Sequence, residues 1–266
     1  MYWPFSKSFI QGVLAYKFGF VSWVLSNFLQ VAIVYFLWRA IFDSSAQGLI
    51  QGFTFLDMQV HIIMSFVTGL LVSLGVEWKV ASEIGGGSIA MSLAKPINYF
   101  LRLVFESLGN FLLRFVTVAI PVWIFMPLWH RFVYDAPFPA LSSLLLFFLS
   151  LSLSISISFL INFILGLSAF FVTYIWGFLM CKDAVFKLLS GAMIPLVMFP
   201  DSIQKVMTYL PFASLNNIPV MIYMRKFNSS EIAFYLGVQL FWMIAFIVLA
   251  GVLWKMAIKR LSVAGG

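Results

Sequence analysis

Apolar residues run along the chain in long blocks, separated by short polar clusters. Before the first block the pattern differs. Phe5, Phe9, Val13, Tyr16 and Phe20 recur at helical spacing, with Lys7, Ser8 and Gln11 on another face. This predicts an amphipathic helix over 4–18 lying in the lipid headgroup plane, or else a ragged extension of the first block. The blocks themselves predict membrane spans at about 19–42, 57–75, 101–129, 141–163, 167–189 and 230–257. The first contains Asn27, Gln30 and Arg39, and the second has His61 near one end. The third contains Arg114 and Pro121, so a kink is expected there.

Two stretches between the blocks are neither span nor plain loop. Residues 76–100 hold Glu77, Lys79, Glu83 and Lys95 around the run Gly85-Gly86-Gly87. Residues 190–219 hold Pro195, Pro200, Pro211 and Pro219, which forbid one straight helix, yet the segment is too apolar for a free loop. Two short helices dipping back into the membrane fit it, provided protein shields their backbone groups. Between Ala140 and Met180 no charge marks a turn, so Asn162 and Gly166 serve as markers between the fourth and fifth spans.

Composition sets the class. Of 266 residues 63% are hydrophobic and 9% charged, against about 25% charged in a soluble domain. The chain is therefore all-α and integral to the membrane, one transmembrane domain over 1–266, with no room for a soluble catalytic domain. The net charge of +7 fits cytoplasmic loops and anionic lipid, and no nucleic-acid fold accompanies it. With the N-terminus inside, the inner face carries Lys7, Lys17, Lys79, Lys95, Arg102, Lys255, Lys259 and Arg260. The short outer loops carry Arg39 and Arg131, although 181–226 adds five cations outside. Lys7 and Lys17 inside the first apolar pattern argue against a cleaved leader. The single cysteine, Cys181, allows neither an intramolecular disulfide nor a multi-cysteine metal site.

Chemistry-bearing motifs are few. Ser150, Ser154, Ser158, Asn162 and Gly166 fall every four residues and make one small, weakly polar helix stripe. Such a stripe serves either helix packing inside the chain or a translocation path or subunit interface. Arg114 is a functional hypothesis by its position in a span, or it pairs with a carbonyl or carboxylate on another helix. Lys182, Asp183 and Lys187 read as interfacial anchors, and His61 and His130 as interfacial residues rather than ligands. No paired histidines at metal spacing, no Gly-x-Ser-x-Gly elbow and no phosphate-binding Gly-x-x-x-x-Gly-Lys-Ser/Thr loop occur. The residues alone leave a transporter subunit, a channel or a scaffold.

Three stretches narrow this. Leu14-Ala15-Tyr16-Lys17 pairs with Leu37-Trp38-Arg39-Ala40-Ile41-Phe42 closing the first span. Glu83-Ile84-Gly85-Gly86-Gly87-Ser88-Ile89 continues to Leu93-Ala94-Lys95-Pro96-Ile97. Ser190-Gly191 is followed by Pro195, Pro200 and Leu210-Pro211-Phe212. In this order the chain resembles the six-span permease subunit of type 2 ABC transporters, along nearly its whole length. Gln239, Trp242 and the terminal Gly265-Gly266 are similar to a subgroup in which two permeases share one ATPase. The charged Lys182-Asp183 departs from the apolar residues expected late in the fifth span.

The resemblance implies a multi-pass protein of the bacterial cytoplasmic membrane with both termini cytoplasmic. It has no catalytic, cofactor or metal site of its own; ATP and Mg belong to a separate dimeric ATPase. Glu83, Ile84, Gly85, Gly86, Gly87, Ser88, Leu93, Lys95 and Pro96 would carry a cytoplasmic coupling helix docking on that ATPase. Tyr16 and Lys17 of the interfacial helix would add a second contact. Ser190, Gly191, Pro195, Pro200, Pro211 and Phe212 would build an outer re-entrant gate. The first and fifth spans would face a second permease, identical or homologous, and export is the implied direction. The competing readings are a self-contained secondary transporter, which would carry intramembrane carboxylates or two matching broken helices, and a membrane scaffold. The 18% aromatic content could line a path for a hydrophobic or cationic molecule, a lipid or a peptide.

Overall fold

The computed structural model describes residues 2–45, 48–172 and 175–264, and side chains of the last helix as far as Lys259. Gly265 and Gly266 lie outside the described residues. The chain is a helical bundle with one two-stranded hairpin, Leu49–Ile50 against Phe53–Thr54.

Helix α1 (Trp3–Ala15) begins with Pro4 in its first turn and stops before Tyr16, so it is shorter than the 4–18 expected. It lies directly on α6 (Tyr99–Arg114): the Ser6 hydroxyl donates to the Phe105 carbonyl. A Cβ on Gly109 would come within 2.6 Å of the Ser6 carbonyl oxygen, so only glycine permits this approach. Lys17 opens α2 (Lys17–Asp43), which is apolar all round and leaves most of its surface outside the bundle. Such a helix is suited to lipid. Trp38 and Phe42 anchor its far end against Met58 and Ile62.

Helix α3 (Phe55–Val72) starts at a reciprocal cap between Thr54 and Asp57. After Gly75, held at φ +71°, α4 (Val76–Gly85) prolongs it, so that Phe55–Gly85 forms one span-length apolar run. Gly86 and Gly87 then turn the chain into the short α5 (Ser88–Ala94). Helix α6 passes through a π turn, Phe115–Ala119, into α7 (Ile120–Tyr134). The expected irregularity at Pro121 takes this form because proline has no N–H for an α-helical bond and its ring crowds the preceding turn.

Helix α8 (Leu141–Leu167) continues past residue 163, and a 3₁₀ turn extends it to Phe170. Asn162 and Gly166, expected to mark a turn, therefore lie within the helix. Gly166 has a physical reason to stay there: a Cβ would meet Val80 at 2.7 Å. Helix α9 (Ile175–Leu189) follows; residues 173–174, inside the expected fifth span, are outside the described residues. Its 15 residues rise only about 22 Å. Five helical runs are long and apolar enough to cross a membrane, and α9 falls short of that length among the described residues.

The proline-rich segment breaks as expected into short pieces. They are a 3₁₀ turn Leu196–Met198, α10 (Asp201–Tyr209), a 3₁₀ turn Ala213–Leu215 and α11 (Asn217–Tyr223). Pro195 and Pro200 stand immediately before the first two, where a missing N–H costs nothing. Every residue of α11 is buried, against α3 and α8. Helix α12 (Ser229–Ala264) closes the bundle, capped by Asn228 and Glu231.

Candidate functional site

The stripe on α8 is largely consumed by internal packing. The amide of Gln239, fully buried on α12, donates to Ser154 Oγ at 3.0 Å and to the Ser214 carbonyl at 3.0 Å. Its oxygen accepts from Ser150 Oγ at 2.9 Å. Ser158 donates to the Val72 carbonyl at 2.9 Å, and Asn162 donates to Ser158 at 3.0 Å. In an apolar bundle each such bond satisfies a group that water cannot reach. Of the two roles open to the stripe, Ser150 and Ser154 take the packing one; Ser158 and Asn162 also border a cavity.

At the α4–α5 end, Glu83 is buried and turned inward instead of facing out with its neighbours. Arg102 Nη2 donates to both its oxygens, at 2.7 and 2.6 Å, and Tyr99 donates to Oε2 at 3.0 Å. Lys79 bridges Glu83 and Glu106 at 3.6 and 3.7 Å. The Tyr99 ring stacks on Trp254 at 5.1 Å, tying α4 and α6 to α12. Gly87 is held at φ +70°, a region that favours glycine, and forms the N-cap of α5. Ile84 and Leu93 pack partly inward with buried Ile89, and Ser88 Oγ reaches the Glu83 carbonyl at 3.5 Å. Gly85, Gly86, Gly87, Met91, Lys95 and Pro96 face outward. Lys95 is extended because the residue before proline is excluded from the α region. Tyr16 and Lys17 sit at the α1–α2 junction and are exposed.

Lys182 is a correction to the reading of an interfacial anchor. It is buried, with Nζ 2.9 Å from Glu77 Oε1, 2.6 Å from Asp183 Oδ1 and 3.3 Å from Asn162 Oδ1. A charge in an apolar bundle must find its counter-charge inside, and Glu77 supplies it. His61 is a second correction: fully buried, its Nε2 lies 3.1 Å from the Gly191 carbonyl and 3.3 Å from Ser65 Oγ. Gly191 at φ +75° packs on Asn217, whose N–H donates to the Ser190 carbonyl at 2.9 Å. Pro195 and Pro211 are buried, Pro200 is exposed, and Phe212 packs on Phe186 with centroids 4.9 Å apart. The residues expected to build an outer gate thus split between a buried, hydrogen-bonded end at Ser190–Gly191 and an exposed Pro200.

Arg114 takes the carbonyl-pairing option. Its Nη1 donates to the Leu70 carbonyl at 2.7 Å and to the Ser73 carbonyl, and its guanidinium lies 5.3 Å from the Trp23 ring centroid. A cation at the C-terminus of α3 meets the negative end of the helix dipole. It borders a cavity of about 370 Å³ between α2, α3, α8 and α9. Among the described residues no three His, Cys, Asp or Glu side chains form a metal-ligand set. Sequence reasoning missed Arg102 as the partner of Glu83, Glu77 as that of Lys182, and His61 as the link to Gly191.

No curated protein matches the chain. Residues 28–265 match the family model described as ABC-2 family transporter protein, which spans α2 to α12 and so includes the buried ion pairs, the cavity and the proline-rich segment. Membrane-length apolar helices and this match together make it a multi-pass membrane protein of the permease type, and the chain belongs to the ABC-2 transporter family.

Proposed function

We propose that the chain is the membrane permease of an ATP-driven exporter, working with a separate dimeric ATPase and a second permease, identical or homologous. One observation carries this reading: α5 and the turn that follows it present Met91, Lys95 and Pro96 outward from a base clamped by Glu83, Arg102, Tyr99 and Trp254. A short exposed helix on a stiff base can pass a push from a soluble partner into α4, α6 and α12 together. Glu83 then contributes from inside, as a strut of the lever, while Lys95 and Pro96 supply contact. Helix α9, with its flanking residues, completes a sixth crossing, and both termini face the cytoplasm. ATP binding and hydrolysis on the partner bias the bundle between two arrangements, with 190–219 as the outer gate.

The test is purification of tagged protein in mild detergent after co-expression with its chromosomal neighbours, with assay of vanadate-sensitive ATP hydrolysis. A stoichiometric ATPase in the eluate is the expected result. A chain that elutes alone and transports in proteoliposomes without ATP refutes the reading. A second reading, a self-contained secondary transporter, draws on the buried Glu77–Lys182 pair, in which Glu77 Oε2 has no hydrogen-bond partner among the described residues. It requires that Glu77→Gln abolish transport in liposomes that contain no ATPase.

A further inference from the structure

The cavity beside Arg114 has a charge and shape that select among ligands. Three cationic side chains border it, Arg114, Lys182 and Lys187, against the single carboxylate of Asp183. Lys182 is paired with two carboxylates, Glu77 and Asp183. Arg114 is held by neutral carbonyls, and neither it nor Lys187 has a carboxylate within ion-pair distance among the described residues.

Two contacts bracket Lys187 along the chain. On α9 and its exit, Lys182 meets Glu77 and Gly191 meets His61. Lys187 stands between them in sequence, and it borders the same cavity as the Gly69–Ser73 stretch that anchors Arg114. With Glu77 counted beside Asp183, three cations stand against two carboxylates, so one positive charge is in excess, and among the described residues Arg114 and Lys187 are the cavity cations without a carboxylate in direct contact. Arg114, half-buried in the bundle, is a costly cation there, whereas Lys187 is exposed at the cavity's border and open to an incoming anion.

The aromatic faces point the same way. A cationic ligand would be drawn to Trp23 and Phe186, yet both faces are occupied by the protein's own cations, Arg114 at 5.3 Å and Lys182 at 5.5 Å. The rest of the wall is mixed: Val31, Val34, Phe66, Met193 and Leu215 give an apolar surface, while Asn27, Gln30, Ser65, Ser158 and Asn216 add neutral polar groups. Its size, about 370 Å³, falls in the range of small-molecule sites, roughly 300–1,000 Å³.

We propose that this cavity binds an anionic amphiphile, its phosphate or carboxylate head between Arg114 and Lys187 and its single apolar tail along α2 and α3. This names a cargo class for the permease, and the role as cargo rests on that reading. Asn27 and Gln30, on the same face of α2, offer amides to the head.

Full-length protein in phosphatidylcholine nanodiscs is titrated with radiolabelled dodecyl phosphate, with dodecyltrimethylammonium, dodecanol and inorganic phosphate as competitors. Dodecyl phosphate should bind at least about tenfold tighter than the ammonium compound or the alcohol, because charge-assisted bonds to two cations are lost with either. Inorganic phosphate should not compete. Arg114→Gln and Lys187→Gln should each weaken binding several-fold. Lys187 is exposed, so its variant remains informative if the Arg114 variant does not fold. Equal affinity for the three amphiphiles, or binding unchanged in Lys187→Gln, overturns the proposal.

Adding phosphatidylglycerol to the discs separates sources: displacement assigns a membrane lipid, and retention assigns a single-chain cargo. The assay contains no ATPase. Absent binding with a co-eluting ATPase defeats this inference alone, whereas binding without any ATPase partner defeats the exporter reading alone.

Discussion

Replacing Arg102 by methionine isolates the strut beneath α5. Both partners of the Arg102–Glu83 pair are nearly enclosed, with side-chain exposures of 10% and 9%, so solvent screens little of the interaction. Two short bonds at 2.6 and 2.7 Å disappear, each worth roughly 1.5–3 kcal/mol where a charge is involved. What remains is a buried carboxylate supported by the Tyr99 hydroxyl at 3.0 Å and, through the half-exposed ammonium of Lys79, at 3.6 Å. The expected cost is about 3–5 kcal/mol, the range found when one partner of a buried pair is removed. The double variant E83Q/R102M removes the stranded charge but keeps an acceptor for Tyr99, and should regain about 2 kcal/mol. Denaturant unfolding of the wild type, both single variants and the double variant in one detergent gives the cycle. A loss under about 1 kcal/mol for R102M, or a double variant that is no better, refutes the idea of a dry strut.

Other outcomes follow from single contacts. Gly166→Val should abolish folded protein on gel filtration, and Gly166→Ala should cost about 1–3 kcal/mol, since Val80 occupies the space. Gln239→Leu removes the acceptor of the buried Ser150 hydroxyl, while Ser154 keeps its bonds to the Ser150 and Ser214 carbonyls, and should lower detergent stability by about 1–3 kcal/mol. Met91→Asp, on the exposed face of α5, should leave unfolding unchanged yet reduce ATPase co-elution; equal co-elution would count against the docking face. His61→Phe should detach Gly191 from α3, read as faster proteolysis within 190–219 with the rest of the chain resistant.

The blocks of the sequence were sound guides wherever an apolar run ended in a capping signal. The helices expected from residues 57 and 230 start at Phe55 and Ser229, after Thr54–Asp57 and Asn228–Glu231 reciprocal caps, and each start lies within a turn of its expectation. The proline-rich segment broke where its prolines demanded. The fourth span ran on because a helix ends by its environment: Gly166 was fixed by Val80, nearly ninety positions away. Lys182 and Glu77, 105 residues apart, carry no local sign of one another. A lysine late in an apolar run reads as a snorkelling anchor until its counter-charge comes into view. Glu83 was expected to face out with its segment, but its direction depends on Arg102, nineteen positions on.

The π turn at Phe115–Ala119 also has a bearing on descent. It amounts to one residue more than a continuous α-helix would use, and one residue is worth about 100° of rotation. Everything before it, Arg114 included, is thereby turned relative to α7. A relative that lacks one residue here should have an unbroken helix, with the position aligned to Arg114 facing elsewhere. Sequence alignments across the family should therefore show a single-residue gap near Phe115–Ala119, and a basic residue before it should accompany the longer form.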